Sequence, residues 1–196
     1  MKYLITLSLI VLSLSQNSYD QFLINMKQKL SKQVVDFPEN YERYIKNLGG
    51  YTNVYKTTIN YNQLRNYLTG KGFPSDVYTS CLETSFKTDS YFEKSDYISG
   101  GNNQYSLNQY VSSCHKIDNN LISLIAIKGK YTGTMQTVTE NNVICTVRRG
   151  RRLCGPVRRN FRGPRRGLNN QEMELVKKTL KIKYFQDALD QLNRLN

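Results

Sequence analysis

The chain has 196 residues, with 28 Lys and Arg against 15 Asp and Glu, a formal net charge of +13, and no Trp. That length holds one domain, or a modest domain with an appendage, and a mean hydropathy of −0.57 with no second long apolar run excludes a polytopic membrane protein. Hydrophobic residues make up 39% of the chain, with 15 Tyr and 7 Phe, which is enough for a packed core and argues against full disorder.

Met1-Lys2 is a minimal basic start, and Tyr3 to Leu14 is an apolar stretch too short to span a bilayer as a helix. Ser13 and Ser15 supply small residues for a cut before Gln16, so residues 1–15 read as a secretory signal peptide and the protein as secreted. Residues 16–147 then form a disulfide-containing α+β domain, 148–167 an Arg-rich hairpin tip and basic arm, and 168–196 an amphipathic C-terminal helix.

In chain order, Tyr19, Phe22, Leu23, Met26, Leu30 and Val34 follow helical spacing. A second helix is expected from Pro38, carrying Tyr41, Tyr44, Ile45 and Leu48 to a Gly49-Gly50 stop. Tyr51 to Ile59 alternates loosely, as in a strand. A short helix with Leu64, Tyr67 and Leu68 closes at Gly70. Ser75-Asp76 is placed to cap a helix bearing Val77, Cys81, Leu82 and Phe86. After a loop around Gly100-Gly101, the spacing of Leu107, Tyr110, Val111, Cys114 and Ile117 predicts a further helix.

Beyond Asn120 the pattern changes. Leu121 to Ile127, Tyr131 to Thr139 and Val143 to Val147 read as three antiparallel strands joined by short turns. Asn169 or Asn170, with Glu172 in capping-box position, starts a long helix. Met173, Val176, Leu180, Phe185, Ala188, Leu189, Leu192 and Leu195 line it, with a change of face near Lys181-Ile182-Lys183. The fold class predicted is α+β: short helices first, a small antiparallel sheet with a disulfide-stapled hairpin, and a closing helix.

The four cysteines, Cys81, Cys114, Cys145 and Cys154, all follow the signal, and an even number in an oxidising compartment predicts two disulfides. Cys81 and Cys114 are expected to staple two helices together. His115 is the only histidine and no C-x-x-C occurs, so neither a metal site nor a cofactor is expected.

Charge is concentrated rather than spread. Residues 148–167 hold nine of the twelve arginines and no acid, whereas 17–147 carry a net charge of only +2. The stretch Ile144 to Cys154 is nearly symmetric about Arg149–Gly150. With those two residues as the turn, Arg148 faces Arg151, Val147 faces Arg152, Thr146 faces Leu153, and Cys145 faces Cys154 at a separation compatible with a disulfide. Such a bridge offsets a turn poorly suited to Arg-Gly and the mutual repulsion of four arginines. The basic surface comprises Arg148, Arg149, Arg151, Arg152, Arg158, Arg159, Arg162, Arg165 and Arg166. Guanidinium groups suit bidentate contact with phosphate, sulfate or carboxylate, so the expected partner is an acidic polymer or an anionic membrane surface. Phe161 is the only aromatic in the block, which leaves no stacking platform there for single-stranded nucleic acid.

A second reading makes the block a substrate for a processing protease. Arg149-Gly-Arg-Arg152 fits the pattern that furin-like enzymes cut, and Arg158-Arg159 and Arg165-Arg166 are further dibasic pairs. The disulfide-tied, Arg-tipped hairpin from about Val143 to Gly167 resembles the cationic host-defence hairpins of the protegrin and tachyplesin type. Those carry two bridges where this one has one, and here a long helix follows. Signal, disulfide domain and basic segment together resemble a cathelicidin precursor layout. Gln136 to Glu140 is similar to the cystatin Q-x-V-x-G loop, with Glu140 in place of the glycine. These likenesses do not assign a family.

Catalysis is not expected. Cys114-His115 is the only Cys–His proximity, Asp and Glu have no distinctive spacing, and no G-x-S-x-G, H-E-x-x-H, EF-hand or Walker pattern occurs. A secreted hydrolase of another kind is the remaining alternative, and would carry a deep polar pocket away from the arginines.

Overall fold

The computed structural model describes residues 19–34, 45–85, 89–101, 103–135, 143–148, 151–156 and 170–195, the strands at 143–148 and 151–156 by backbone pairing alone. Helix α1 covers 19–31. Strand β1 (Ile45–Asn60) leads into α2 (Tyr61–Gly70), α3 (Ser75–Leu82) and a 3-10 turn, Glu83–Ser85. Strands β2 (Asp89–Ser99), β3 (Gln104–Lys116) and β4 (Leu121–Met135) follow. The hairpin β5 (Val143–Arg148) and β6 (Arg151–Pro156) precedes α4 (Asn170–Asn193). The class is α+β, as the sequence predicts.

The main sheet is antiparallel throughout, in the order β1-β4-β3-β2, so β4 and β3 are central. Ile122 to Ile127 is buried without a break. A strand reads as a continuous apolar run only when both of its faces are covered, and here helices cover both. On the first face, Leu107, Val111, Ile125, Ile127 and Tyr131 pack against Phe22, Met26 and Leu30 of α1 and against Val176, Leu180, Tyr184, Phe185, Ala188 and Leu192 of α4. On the second face, Cys114, Ile122, Leu124 and Ala126 meet Leu64, Leu68, Phe73, Val77 and Cys81. Helix α2 stops at a left-handed turn: Gly72 has φ +72°, and the Phe73 N–H returns to the Leu68 carbonyl at 3.0 Å.

Several expectations are corrected. Ile45 to Leu48 begin β1 rather than end a helix, while Pro38, Tyr41 and Tyr44 lie outside the described residues. Gly49-Gly50 does not stop the element. The strand passes through after an irregularity between Lys46 and Gly49, and a Cβ at Gly50 would meet the Tyr131 ring at 2.5 Å. Leu107 to Cys114 belong to β3, not to a helix. Their i, i+3, i+4 spacing arises because residues on both faces of a central strand are buried: Leu107 and Val111 point to one layer, Tyr110 and Cys114 to the other. Strand β2, which the sequence left unassigned, is a partly exposed edge strand and lacks the alternation that marks a half-buried one.

The two strands expected over 121–139 are one strand as far as Met135. The apparent turn at Lys128-Gly129-Lys130 is extended. Gly129 is required there because a Cβ would lie 2.5 Å from the Tyr184 ring. Helix α3 has Pro74 at its N-cap and no side-chain cap, so Ser75 and Asp76 open the helix without capping it. Phe86 and Asn169 fall outside the described residues.

Candidate functional site

The hairpin that carries the predicted basic tip has the expected register. Arg148 pairs with Arg151, Val147 with Arg152, Thr146 with Leu153, and Cys145 with Cys154. Its strands pair only with each other, as a separate two-stranded sheet. The backbone thus sets the two cysteines directly opposite one another. Their side chains, and those of Arg148, Arg151 and Arg152, lie outside what is described, as do Arg149, Arg158, Arg159, Arg162, Arg165 and Arg166 altogether.

The other cysteine pair is bonded. Cys81 of α3 and Cys114 of β3 form a disulfide across a Cα–Cα distance of 5.4 Å, with both residues fully buried. The bridge joins a helix to the sheet, not two helices, because residue 114 lies on a strand. Among the described residues no cysteine is free, and no group of His, Cys, Asp and Glu could hold a metal.

Residue 115 points to the opposite face from Cys114, so the only Cys–His adjacency in the sequence is no pair in space. Instead, His115 Nδ1 is 2.5 Å from Asp89 Oδ1, and Phe22 stacks on the ring at 5.4 Å. The register aligns Asp89, His115, Ser123 and Thr58 in one row across all four strands. Asp, His and Ser are the residue types of a nucleophilic triad. Ser123 is only 1% exposed, however, and its hydroxyl lies 3.4 Å from that of Thr58. No substrate carbonyl reaches it in this arrangement. A cleft of about 180 Å³ beside Asp89, lined by Phe22, Met26, Lys29, Lys32 and Ser113 among others, does not include the imidazole.

Polar groups satisfy one another within α4 and between α4 and the first face. The Tyr131 hydroxyl donates to Asp187 and stands 2.8 Å from Thr52 Oγ1, while Lys183 reaches Asp187 at 2.8 Å. Lys181 pairs with Glu93 at 2.5 Å and Lys177 with Glu174 at 2.7 Å. The Tyr184 hydroxyl donates to the Ile127 carbonyl at 3.3 Å, and Gln191 Nε2 to the Thr52 carbonyl at 2.8 Å. Burial first, then the neighbouring carboxylates Asp187 and Glu93, push the Tyr131 and Tyr91 phenols far above their ordinary value. Burial also does so for Tyr184.

Lysines on the second face are arranged differently. Lys46, Lys71, Lys128 and Lys130 have no carboxylate within ion-pair distance among the described residues, although Lys94 nearby pairs with Asp76 at 2.9 Å. Sequence reasoning missed this group because its members come from β1, a loop and β4. The period-two spacing of Lys128 and Lys130 was the one available signal, and the glycine between them disguised it as a turn. The chain matches no protein-family model, and no curated protein or solved structure is significantly similar to it.

Proposed function

We propose that this protein is a secreted, cationic, non-catalytic binder of polyanions or anionic surfaces, acting through the Arg-rich hairpin. The observation that carries the reading is the concentration of +9 in residues 148–167, together with a backbone register that sets Arg148 opposite Arg151 and Cys145 opposite Cys154. A hairpin this short is marginal in water without a staple, and paired cysteines at its base supply one. Held as a cluster, guanidinium groups attract phosphate, sulfate and carboxylate with high on-rate and steep salt dependence. The buried Cys81–Cys114 bridge supports an oxidising compartment.

The test is retention on a heparin column and on anionic liposomes across a salt series. Replacing Arg148, Arg149, Arg151 and Arg152 by Ala is expected to lower the eluting salt concentration substantially. Equal retention of the two proteins would overturn the proposal. The processing reading rests on the Arg149-Gly-Arg-Arg152 pattern. It predicts new ends after Arg152, Arg159 or Arg166 in the native product, sought after reduction so that a cut within a bridged loop is not hidden.

A further inference from the structure

We infer a second binding site on the main sheet itself: the half of its second face beyond α2 and α3 is a surface for an extended acidic polysaccharide. It uses none of the hairpin arginines and stands independently of their reading. The covered half ends where Phe73 packs edge-on against Tyr55, at 5.7 Å, and against Tyr110, at 6.1 Å. Past that border the register lays out successive rows. One runs Asn53, Lys128, Tyr110, Lys94, and the next runs Tyr51, Lys130, Asn108, Asp96. Thr132 and Ser106 follow, with Ile98 at the edge, and then Lys46 beside Thr134.

Two of the cations meet at one ring, and two more follow along the track. Lys71 Nζ lies 5.5 Å and Lys128 Nζ 6.0 Å from the centre of one ring, Tyr55, and Lys128 also donates to the Lys71 carbonyl. Lys130 follows Lys128 by two strand residues, about 7 Å, and Lys46 sits opposite Thr134, about 20 Å along β4 from Lys128. The carboxylates in this region are Asp76, already held by Lys94, and Asp96 at the β2 edge. Lys71 and Lys128, held together at Tyr55 with no carboxylate of their own among the described residues, repel one another in the free protein, and a bound anion relieves that repulsion.

The ligand class follows from what lies between the cations. Asn53, Asn108, Ser106 and Thr132 offer hydrogen bonds suited to sugar hydroxyls. Of the described tyrosines on this half of the face, Tyr51 is exposed, at 55%, whereas Tyr55 and Tyr110 are half-buried against Phe73. Single-stranded nucleic acid needs a succession of open rings on which bases stack, and one ring does not provide it. An extended track of ammonium groups alternating with amides and hydroxyls fits a sulfated or carboxylated sugar chain.

The test uses the full chain with Lys46, Lys71 and Lys130 changed to Gln. All three are exposed, so their replacement leaves the core intact. The control changes Lys32, Lys56 and Lys178, which are exposed elsewhere, and removes the same charge. Both sets are made in the native chain and in the Arg148/Arg149/Arg151/Arg152→Ala background. Affinity for a defined heparin oligosaccharide and for oligothymidylate is then measured at physiological ionic strength. The expected result is a loss of heparin affinity of about tenfold for the first set in both backgrounds, and under about twofold for the control. Equal losses in the two sets would reduce the effect to net charge and overturn the site. A loss confined to oligothymidylate would overturn the polysaccharide assignment. The alanine background separates the outcomes, since the hairpin proposal fails if its four arginines contribute nothing, whatever the lysines do.

Discussion

Three lysines of α4 and four on the open half of the second face treat charge differently. Where α4 lies on the first face, Lys177, Lys181 and Lys183 each have a carboxylate partner, and the phenols beneath are hydrogen-bonded. On the second face a disulfide anchors α3 to β3, and beyond the helices Lys46, Lys71, Lys128 and Lys130 share one surface with no acid matched to them among the described residues. The first arrangement serves cohesion where it crosses from helix to sheet, at Lys181–Glu93 and at Tyr131–Asp187. The second does little for stability, which is why it reads as a surface kept for something else.

That contrast is open to direct attack. The largest effect is expected in the first layer, where Phe185 is fully buried between Tyr184 and the sheet residues of its cluster. Phe185→Ala is expected to destabilise the fold by about 3–5 kcal/mol in urea titration, through lost burial and the cavity left behind. A cost below about 1 kcal/mol would mean that α4 is not integral to the core.

On the second face, the paired change Cys81→Ala and Cys114→Ala removes a bridge with a sequence separation of 33. It is expected to cost about 2–4 kcal/mol, chiefly by releasing the unfolded chain. Heparin affinity is expected to survive at temperatures where the variant remains folded, because none of the four unmatched lysines touches the bridge.

The smallest effect at neutral pH grows with alkalinity. Tyr91, Tyr131 and Tyr184 titrate above their unfolded value of about 10. Between that value and the higher folded ones, the folded state holds protons that the unfolded state has released. Stability is therefore fully present below about pH 10 and falls as pH rises beyond it. Denaturation midpoints measured at rising pH are expected to drop steeply past that point, and less steeply in Tyr131→Phe. An unchanged slope in that variant would remove Tyr131 from the account.

Legibility differed by element. Helices α1 and α2 were visible from spacing, because each buries one stripe and exposes the rest; α4 was visible from the spacing of Val176, Leu180, Ala188 and Leu192, although Ile182 is buried off that stripe. The hairpin register was visible because Cys145 and Cys154, and Arg148 and Arg151, are placed symmetrically about Arg149–Gly150. Strand β3 was misread as a helix, since a strand sandwiched between two helical layers loses its alternation. Gln109, Ser112 and Ser113, polar yet buried, blurred it further: Gln109 is held by Ser95 and Glu93, and Ser113 donates to the Ser90 carbonyl. The lysine surface left only the Lys128/Lys130 spacing as a trace in the sequence, because it exists only after β1, β4 and the Lys71 loop are brought side by side.

Local chemistry written along the chain was therefore sufficient for class, for the Cys81–Cys114 partnership, for the position of the basic block and for the pairing within β5–β6. It could not tell that Gly50 and Gly129 sit mid-strand, nor which face each lysine shares. A glycine signals a turn to its sequence neighbours and a landing place to a distant ring. Which of the two it means here depends on Tyr131 and Tyr184 arriving from elsewhere in the fold.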